Sequence, residues 1–232
     1  MENRQRKILV TGGCGFIGSN LVARLSGAGA SVRVLDDMSR GEPARIAGSG
    51  AEVIKGDVRD PDAVEEALSG VDAVIHLAAY GSVVESVSDP GPNFDQNVGG
   101  TFTLLDGARQ AGVRKVVFAS TGGALIGEAD PPVNEDSLPK PISPYGASKL
   151  CGEAYCHAFG KAYGIDTVAL RFANVYGPHS AHKKGAVTAF IKAVMRDEPM
   201  VIYGDGTASR ELLYVDHLCK GSELGLGAEL AP

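Results

Sequence analysis

The 232-residue chain predicts an α/β fold, a doubly wound parallel sheet with helices on both faces. Two observations carry this. Short apolar runs alternate with helical stretches along most of the sequence, which is the rhythm of βαβ units. The first of those runs ends in Gly12-x-x-Gly15-x-x-Gly18 and continues as an amphipathic stretch to Leu25. That is strand, tight turn and helix in succession.

The elements follow in order. The first strand begins Lys7-Ile8-Leu9-Val10, and the glycines after it allow the turn, the close approach of a ligand backbone and close helix–strand packing. A second strand, Ser31 to Leu35, ends in Asp36. Residues 51–57 read as a third strand with Asp57 at its carboxyl end, and Pro61 to Leu68 as a helix capped by Asp60. Val71 to Leu77 is nearly all apolar, as a strand buried on both faces must be. Asn93 to Ala111 reads as a helix, Val113 to Ser120 as the fifth strand, Pro144 to Tyr163 as a long helix and Thr167 to Phe172 as the sixth strand. In such a sheet ligands meet the carboxyl ends of the strands, where Gly12, Asp36, Asp57, Ala78, Ser120 and Asn174 fall.

Composition narrows the function classes. The hydrophobic fraction is 44% and the charged fraction 22%, ordinary for a globular protein. A net charge of −6 argues against nucleic acid or an anionic membrane as the main partner. Residues 1–7 lead into a strand rather than an apolar leader, and no run reaches the length of a membrane span. The four cysteines, Cys14, Cys151, Cys156 and Cys219, lack paired metal spacing, so no metal site is expected and a reducing, cytoplasmic setting is.

Two constellations carry chemistry. The glycine turn opens a helix whose free N–H groups and dipole suit a pyrophosphate. Asp36, at the end of the second strand, is placed to accept hydrogen bonds from ribose hydroxyls and to repel a 2′-phosphate. This is a dinucleotide site that favours NAD over NADP, although Arg40 nearby keeps NADP open. Tyr145 and Lys149, four residues apart on the long helix, share one face. An ammonium beside a phenol lowers the tyrosine pKa from about 10 toward neutrality and makes it a general base for a substrate hydroxyl. Alone, the pair also fits a solvated helix face.

With these motifs stand Gly56-Asp57-Val58-Arg59-Asp60, His76-Leu77-Ala78-Ala79, Asn97-Val98-x-Gly100-Thr101 and the run from Arg171 to Pro178. Together and in this order, over about residues 7–220, they resemble the extended short-chain dehydrogenase/reductases, specifically the NAD-dependent nucleotide-sugar epimerase/dehydratase group. The resemblance implies a Rossmann-type domain over residues 1–175 and a shortened, interleaved substrate-binding part over residues 176–232. It implies that Gly12, Gly15, Phe16, Ile17 and Gly18 wrap the pyrophosphate, and that Asp36 and Asp37 take the adenosine ribose. Asp57 and Val58 flank the adenine, while Leu77, Ala78 and Ala79 line the path to the nicotinamide and Asn97 lies behind it. Tyr145 becomes the acid/base, Lys149 holds the ribose and depresses the tyrosine pKa, and Phe172 and Val175 pack on the nicotinamide. Asn174 and Arg210 face the sugar diphosphate. Other readings stand beside these: Asp57 capping a turn, Arg210 as a loop charge, and the alanine pair as plain core.

The sequence departs from that family's pattern in three places. Counted back from Gly127, the usual substrate-binding hydroxyl falls on Gly122, so Thr121, or else Ser120, or no side chain at all, must serve. Ile126 replaces an expected aromatic residue. Family members usually continue several tens of residues beyond Tyr214-Val215-Asp216-His217. Dehydratases of this kind carry an Asp-Glu pair where Gly122-Gly123 stand here, which disfavours a 4,6-dehydratase. The resemblance thus points to a homodimeric UDP-hexose 4-epimerase. A related dehydrogenase or decarboxylase, or a non-catalytic NAD-binding scaffold, remains as the alternative.

Overall fold

The computed structural model of the chain describes residues 6–130, 132–183 and 185–228. Strand β1 (Lys7–Thr11) leads into helix α1 (Phe16–Gly27), followed by β2 (Ser31–Asp36) and, after a short 3-10 turn, β3 (Glu52–Lys55). Then come α2 (Pro61–Leu68), β4 (Ala73–His76), α3 (Val83–Ser88), α4 (Pro90–Phe94) and α5 (Gly100–Gln110). The chain continues through β5 (Lys115–Thr121), α6 (Gly123–Ile126), α7 (Pro144–Tyr163), β6 (Asp166–Phe172) and β7 (Asn174–Tyr176). It closes with α8 (Ala186–Met195), β8 (Leu212–Tyr214) and α9 (Val215–Gly227). Six strands form one sheet in the order β3-β2-β1-β4-β5-β6, every pairing parallel, and β7 and β8 form a separate parallel pair. This is the doubly wound Rossmann arrangement, with its crevice where the strand order reverses between β1 and β4.

Alternation along the buried strands separates two cores. On one face Leu9, Val74, Val116 and Phe118 meet Leu68 of α2, Leu104 and Leu105 of α5, and Cys156 and Phe159 of α7. On the other, Val10, Val34, Ile75 and Val117 meet Leu21 and Leu25 of α1 and Val215, Cys219 and Leu226 of α9. The C-terminal helix therefore belongs to the layer that covers the sheet.

Local sequence explains the two helices that matter most. α2 starts where the Asp60 carboxylate accepts the Asp62 N–H at 3.1 Å, with Pro61 in its first turn. α7 starts where the Ser143 hydroxyl accepts the Gly146 N–H at 3.1 Å, again followed by proline, and ends at Gly164 with φ +70°. The single helix expected over residues 93–111 begins instead at Pro90 and passes through a π turn, Asp95–Gly99. The wider turn brings Asn97 into the interior, where its amide group meets the loop after β4 and also α7.

Candidate active site

The glycine turn is tight for steric reasons. Gly12 has φ +70°, and a Cβ there would lie 2.8 Å from the Ala78 amide nitrogen. A Cβ on Gly18 would lie 2.1 Å from the Gly12 carbonyl oxygen. Gly15 caps α1 without a side chain, which leaves its first-turn N–H groups for an anion. A cavity of about 340 Å³ opens here, lined by Gly12, Gly15, Asp36, Asp37, Val58, Leu77, Ala78 and Ala79. Those expected cofactor residues are thus brought to one place.

Asp36 is buried, and its carboxylate accepts the Cys14 N–H at 2.9 Å and the Met38 N–H at 2.9 Å. It ties the glycine turn to the loop after β2 and keeps spare lone pairs toward the cavity it lines. Asp57 does not line this cavity. Its carboxylate accepts the Arg59 N–H at 2.8 Å and pairs with the Arg59 guanidinium at 2.5 Å, which holds its pKa below the usual carboxylate range. The turn-capping reading of Asp57 therefore describes its contacts, and Arg59 lines the wall instead. Arg40 is occupied too. Its guanidinium sits 4.7 Å over the Tyr80 ring and 2.6 Å from Glu85. Sequence reasoning missed Tyr80 and Arg59 as wall residues.

Asn97 spends its polar atoms on structure. Its oxygen accepts the Tyr80 N–H at 2.7 Å, and its nitrogen donates to the Ser148 hydroxyl at 3.0 Å. Ser148 in turn donates to the Tyr145 carbonyl at 2.8 Å. Asn97 thus couples the cavity loop to the first turn of α7. His76 is a second interior link, 2.7 Å from Thr11 Oγ1 and 3.0 Å from Thr101 Oγ1.

Burial pulls the His76 pKa down to about 3, and the Lys149 charge adds to the shift. The folded protein refuses a proton that the unfolded chain accepts below about pH 6.5. This group should leave stability flat above that pH and lower it by about 1.4 kcal/mol per pH unit as pH falls from there toward 3. Denaturant titrations across that window check it. His76→Gln should lose this part of the slope, and equal slopes would contradict the assignment.

A second cavity, of about 520 Å³, is lined by Phe16, Ile17, Ser120, Thr121, Tyr145, Phe172, Asn174, Val175, Lys183 and Arg210, with Gly123 and Ala124 beside them. It gathers the expected catalytic and substrate residues except Lys149, which lies beneath. The Lys149 ammonium donates to the Ala119 carbonyl at 2.8 Å and sits 4.9 Å over the Phe118 ring. Burial lowers its pKa to about 8, so it keeps its charge at neutral pH. Burial also raises the Tyr145 pKa. The expected lowering by Lys149 is therefore not met in this state. The ammonium is spent on a carbonyl and an aromatic face, and loss of water around the phenol dominates.

The two candidate hydroxyls belong to residues that both line this cavity, and they differ in their partners. Ser120 is buried and donates to Glu153 Oε1 at 2.5 Å. The Thr121 hydroxyl has no hydrogen-bond partner among the described residues and is at the cavity wall. Gly122 sits at the N-terminal cap of α6 and donates its N–H to the Phe172 carbonyl at 3.0 Å. Ile126 is buried and does not line the cavity. Asn174 donates to the Glu211 carbonyl at 3.2 Å, and Arg210 donates to the Ser209 carbonyl. Among the described residues no acid lines this cavity, and no group of three or more His, Cys, Asp or Glu could hold a metal. No helix of the described residues is long and apolar enough to cross a membrane.

Known proteins share this fold. Residues 8–227 match the profile of the NAD dependent epimerase/dehydratase family. The UDP-glucose 4-epimerase of Mycolicibacterium smegmatis is 39% identical over 223 residues, covering 90% of this chain and 70% of the relative. The structure of UDP-glucose 4-epimerase from Thermotoga maritima with UDP-glucose matches with a TM-score of 0.90 at 38% identity, covering 95% of this chain and 73% of that one. The Thermus thermophilus UDP-glucose 4-epimerase complex with NAD matches with a TM-score of 0.88 at 38% identity, covering 96% and 75%. From its glycine turn to its last helix, the chain belongs to the NAD-dependent epimerase/dehydratase family.

Proposed function

We propose that the protein is an NAD-dependent nucleotide-sugar epimerase that inverts C4 of a UDP-hexose by transient oxidation. The observation that carries this reading is the cavity walled by Tyr145 and Thr121, with no acid in its wall and no partner for the Thr121 hydroxyl among the described residues. Removal of a C5 proton and elimination at C6 need carboxyl groups that no described wall residue offers, whereas oxidation and re-reduction at C4 need only one acid/base. Relatives named UDP-glucose 4-epimerase, one of them solved with UDP-glucose and another with NAD, support the same substrate and cofactor.

The residues fit NAD. The glycine turn, which admits no Cβ at Gly12 or Gly18, and the cavity beside it suit a dinucleotide pyrophosphate and adenosine. Bound there, NAD supplies the hydride acceptor and donor for C4. Tyr145 takes the C4 hydroxyl proton as the hydride leaves and returns a proton when the 4-keto sugar, turned over, is reduced on its other face. Thr121 orients the C4 oxygen. The Lys149 ammonium serves the ribose. Phe172 and Val175 form the wall for the nicotinamide, and Asn174 and Arg210 meet the diphosphate. The strand ends of the Rossmann sheet supply the cofactor site, and residues between Tyr176 and Leu212 supply part of the sugar site. A coupled assay across UDP-hexoses tests the reading. Interconversion of a C4-epimeric pair is expected, and bound NAD with no turnover on any UDP-sugar would leave the scaffold alternative.

NAD should bind more tightly than NADP, because Asp36 accepts from ribose hydroxyls and repels a phosphate while Arg40 is held by Glu85 and Tyr80. Asp36→Ala should weaken NAD binding by about 10-fold or more and narrow that preference. Calorimetric titration of both dinucleotides checks this, and equal affinity in the unmutated protein would contradict it.

Two chains pair through α5 and α7 in this reading. Phe102 and Tyr155, with ring centroids 5.8 Å apart, and Tyr163 are exposed around Phe159 and form an aromatic patch on those helices. Light scattering at micromolar concentration should report a dimer, and a monomer would refute the pairing. The four cysteines are unpaired, which fits a reducing cytoplasm.

A further inference from the structure

Glu153 lies one helical turn beyond Lys149 and two beyond Tyr145, so the three project from one face of α7. Its carboxylate collects three donors. Oε1 accepts from the Ser120 hydroxyl at 2.5 Å and from Arg171 Nε at 3.0 Å, and Oε2 accepts from Arg171 Nη2 at 2.9 Å. Arg171 is the β6 residue paired with Ser120 across the sheet, and its remaining amino group donates to the Glu135 carbonyl at 2.9 Å. The fork is bidentate, charge-assisted and mostly shielded, with side-chain exposures of 21% for Arg171 and 14% for Glu153.

The ties converge on the last residues of β5. Lys149 holds the Ala119 carbonyl and Glu153 holds the Ser120 side chain, so α7 grips two successive residues of this strand. The next residue is Thr121, whose side chain points to the opposite face from that of Ser120. The Glu153 carboxylate does not line the substrate cavity. With Arg171 it lines a separate cavity of about 460 Å³ behind it.

We infer that Glu153, locked by Arg171 and Ser120, is a positioning residue that fixes the distance between the Thr121 hydroxyl and Tyr145 for proton transfer at the sugar. The inference rests on the epimerase reading for its catalytic consequence but not for the clamp itself. A group placed about 1 Å wrong can cost roughly 10²-fold in rate, which a loosened strand end would do without touching substrate.

The test uses the purified, cofactor-bound protein, Glu153→Gln, Ser120→Ala, Thr121→Val and the Thr121→Val/Glu153→Gln pair. Amide hydrogen exchange at residues 120–122, including the Gly122 N–H bonded to Phe172, should quicken about 10-fold in Glu153→Gln with β1 unchanged. In UDP-hexose epimerisation kcat should fall roughly 10-fold with KM nearly constant, and Ser120→Ala should reproduce that fall. The double variant should be little worse than Thr121→Val alone, whereas a merely structural role would make the losses multiply. Unaltered exchange at 120–122 in both Glu153→Gln and Ser120→Ala, or unaltered kcat in an active protein, overturns the inference. If Glu153→Gln does not fold, amide exchange at 121–122 in Ser120→Ala decides, because Ser120 itself lines the substrate cavity. Quickened exchange in a protein that epimerises no UDP-hexose keeps the clamp and overturns the epimerase reading.

Discussion

Tyr145→Phe should lower turnover by roughly 10²–10⁴-fold while leaving NAD content and melting temperature close to those of the unmutated protein. The phenol is part of the second cavity's wall, and no hydrogen bond from its hydroxyl to another described residue fixes it there. Removing one oxygen therefore removes the acid/base and little else. The backbone of residue 145 is held independently, its N–H by the Ser86 hydroxyl at 3.1 Å and its carbonyl by Ser148 at 2.8 Å. Burial raises the Tyr145 pKa in this state and lowers that of Lys149. Steady-state rates, with cofactor measured on the same preparations, check the expectation. Near-full activity in Tyr145→Phe would reject the assignment of the base.

Gly146→Ala should cost both stability and activity. In an ordinary helix interior alanine is favoured over glycine by about 0.5–1 kcal/mol. Here the added Cβ would lie 2.0 Å from the Ala124 carbonyl oxygen, 2.8 Å from its carbon and 3.0 Å from Pro141 Cβ. Those are main-chain and ring atoms that cannot swing aside, so the first turn of α7 must move off α6. Overpacking of this kind costs about 1–3 kcal/mol. At about 2–4 °C per kcal/mol for a chain of this size, the melting temperature should drop by several degrees. The displaced turn carries Tyr145, so turnover should fall by as much as roughly 10²-fold. Thermal denaturation with steady-state kinetics measures both, and a raised Tm with unchanged kcat would show that α6 yields.

The parts legible in the sequence are those with local causes. The glycine turn, the Asp60-Pro61 start of α2 and the Ser143-Pro144 start of α7 are written in adjacent residues. The parallel strands announce themselves by apolar runs such as Ala73-Val74-Ile75. What stayed hidden depends on distant partners. The π turn at Asp95–Gly99 exists where Asn97 meets Tyr80 and Ser148, which no local pattern states. β7 and β8 span three residues each, too short for a period to show. Arg59 captured Asp57 through a contact the strand pattern does not reveal. The Tyr145 pKa was misjudged because helix spacing gives the neighbour but not the burial. The choice between Ser120 and Thr121 was not legible, since both line the cavity; only the position of Glu153 shows that the Ser120 hydroxyl is already taken.

Transient oxidation at C4 is tested most directly by following deuterium from UDP-galactose labelled at C4. The protein, used with only its bound NAD, should yield UDP-glucose that keeps the label at C4, because the hydride returns to the carbon it left. Absence of the epimeric product, or a product whose C4 label has exchanged with water, would contradict the account.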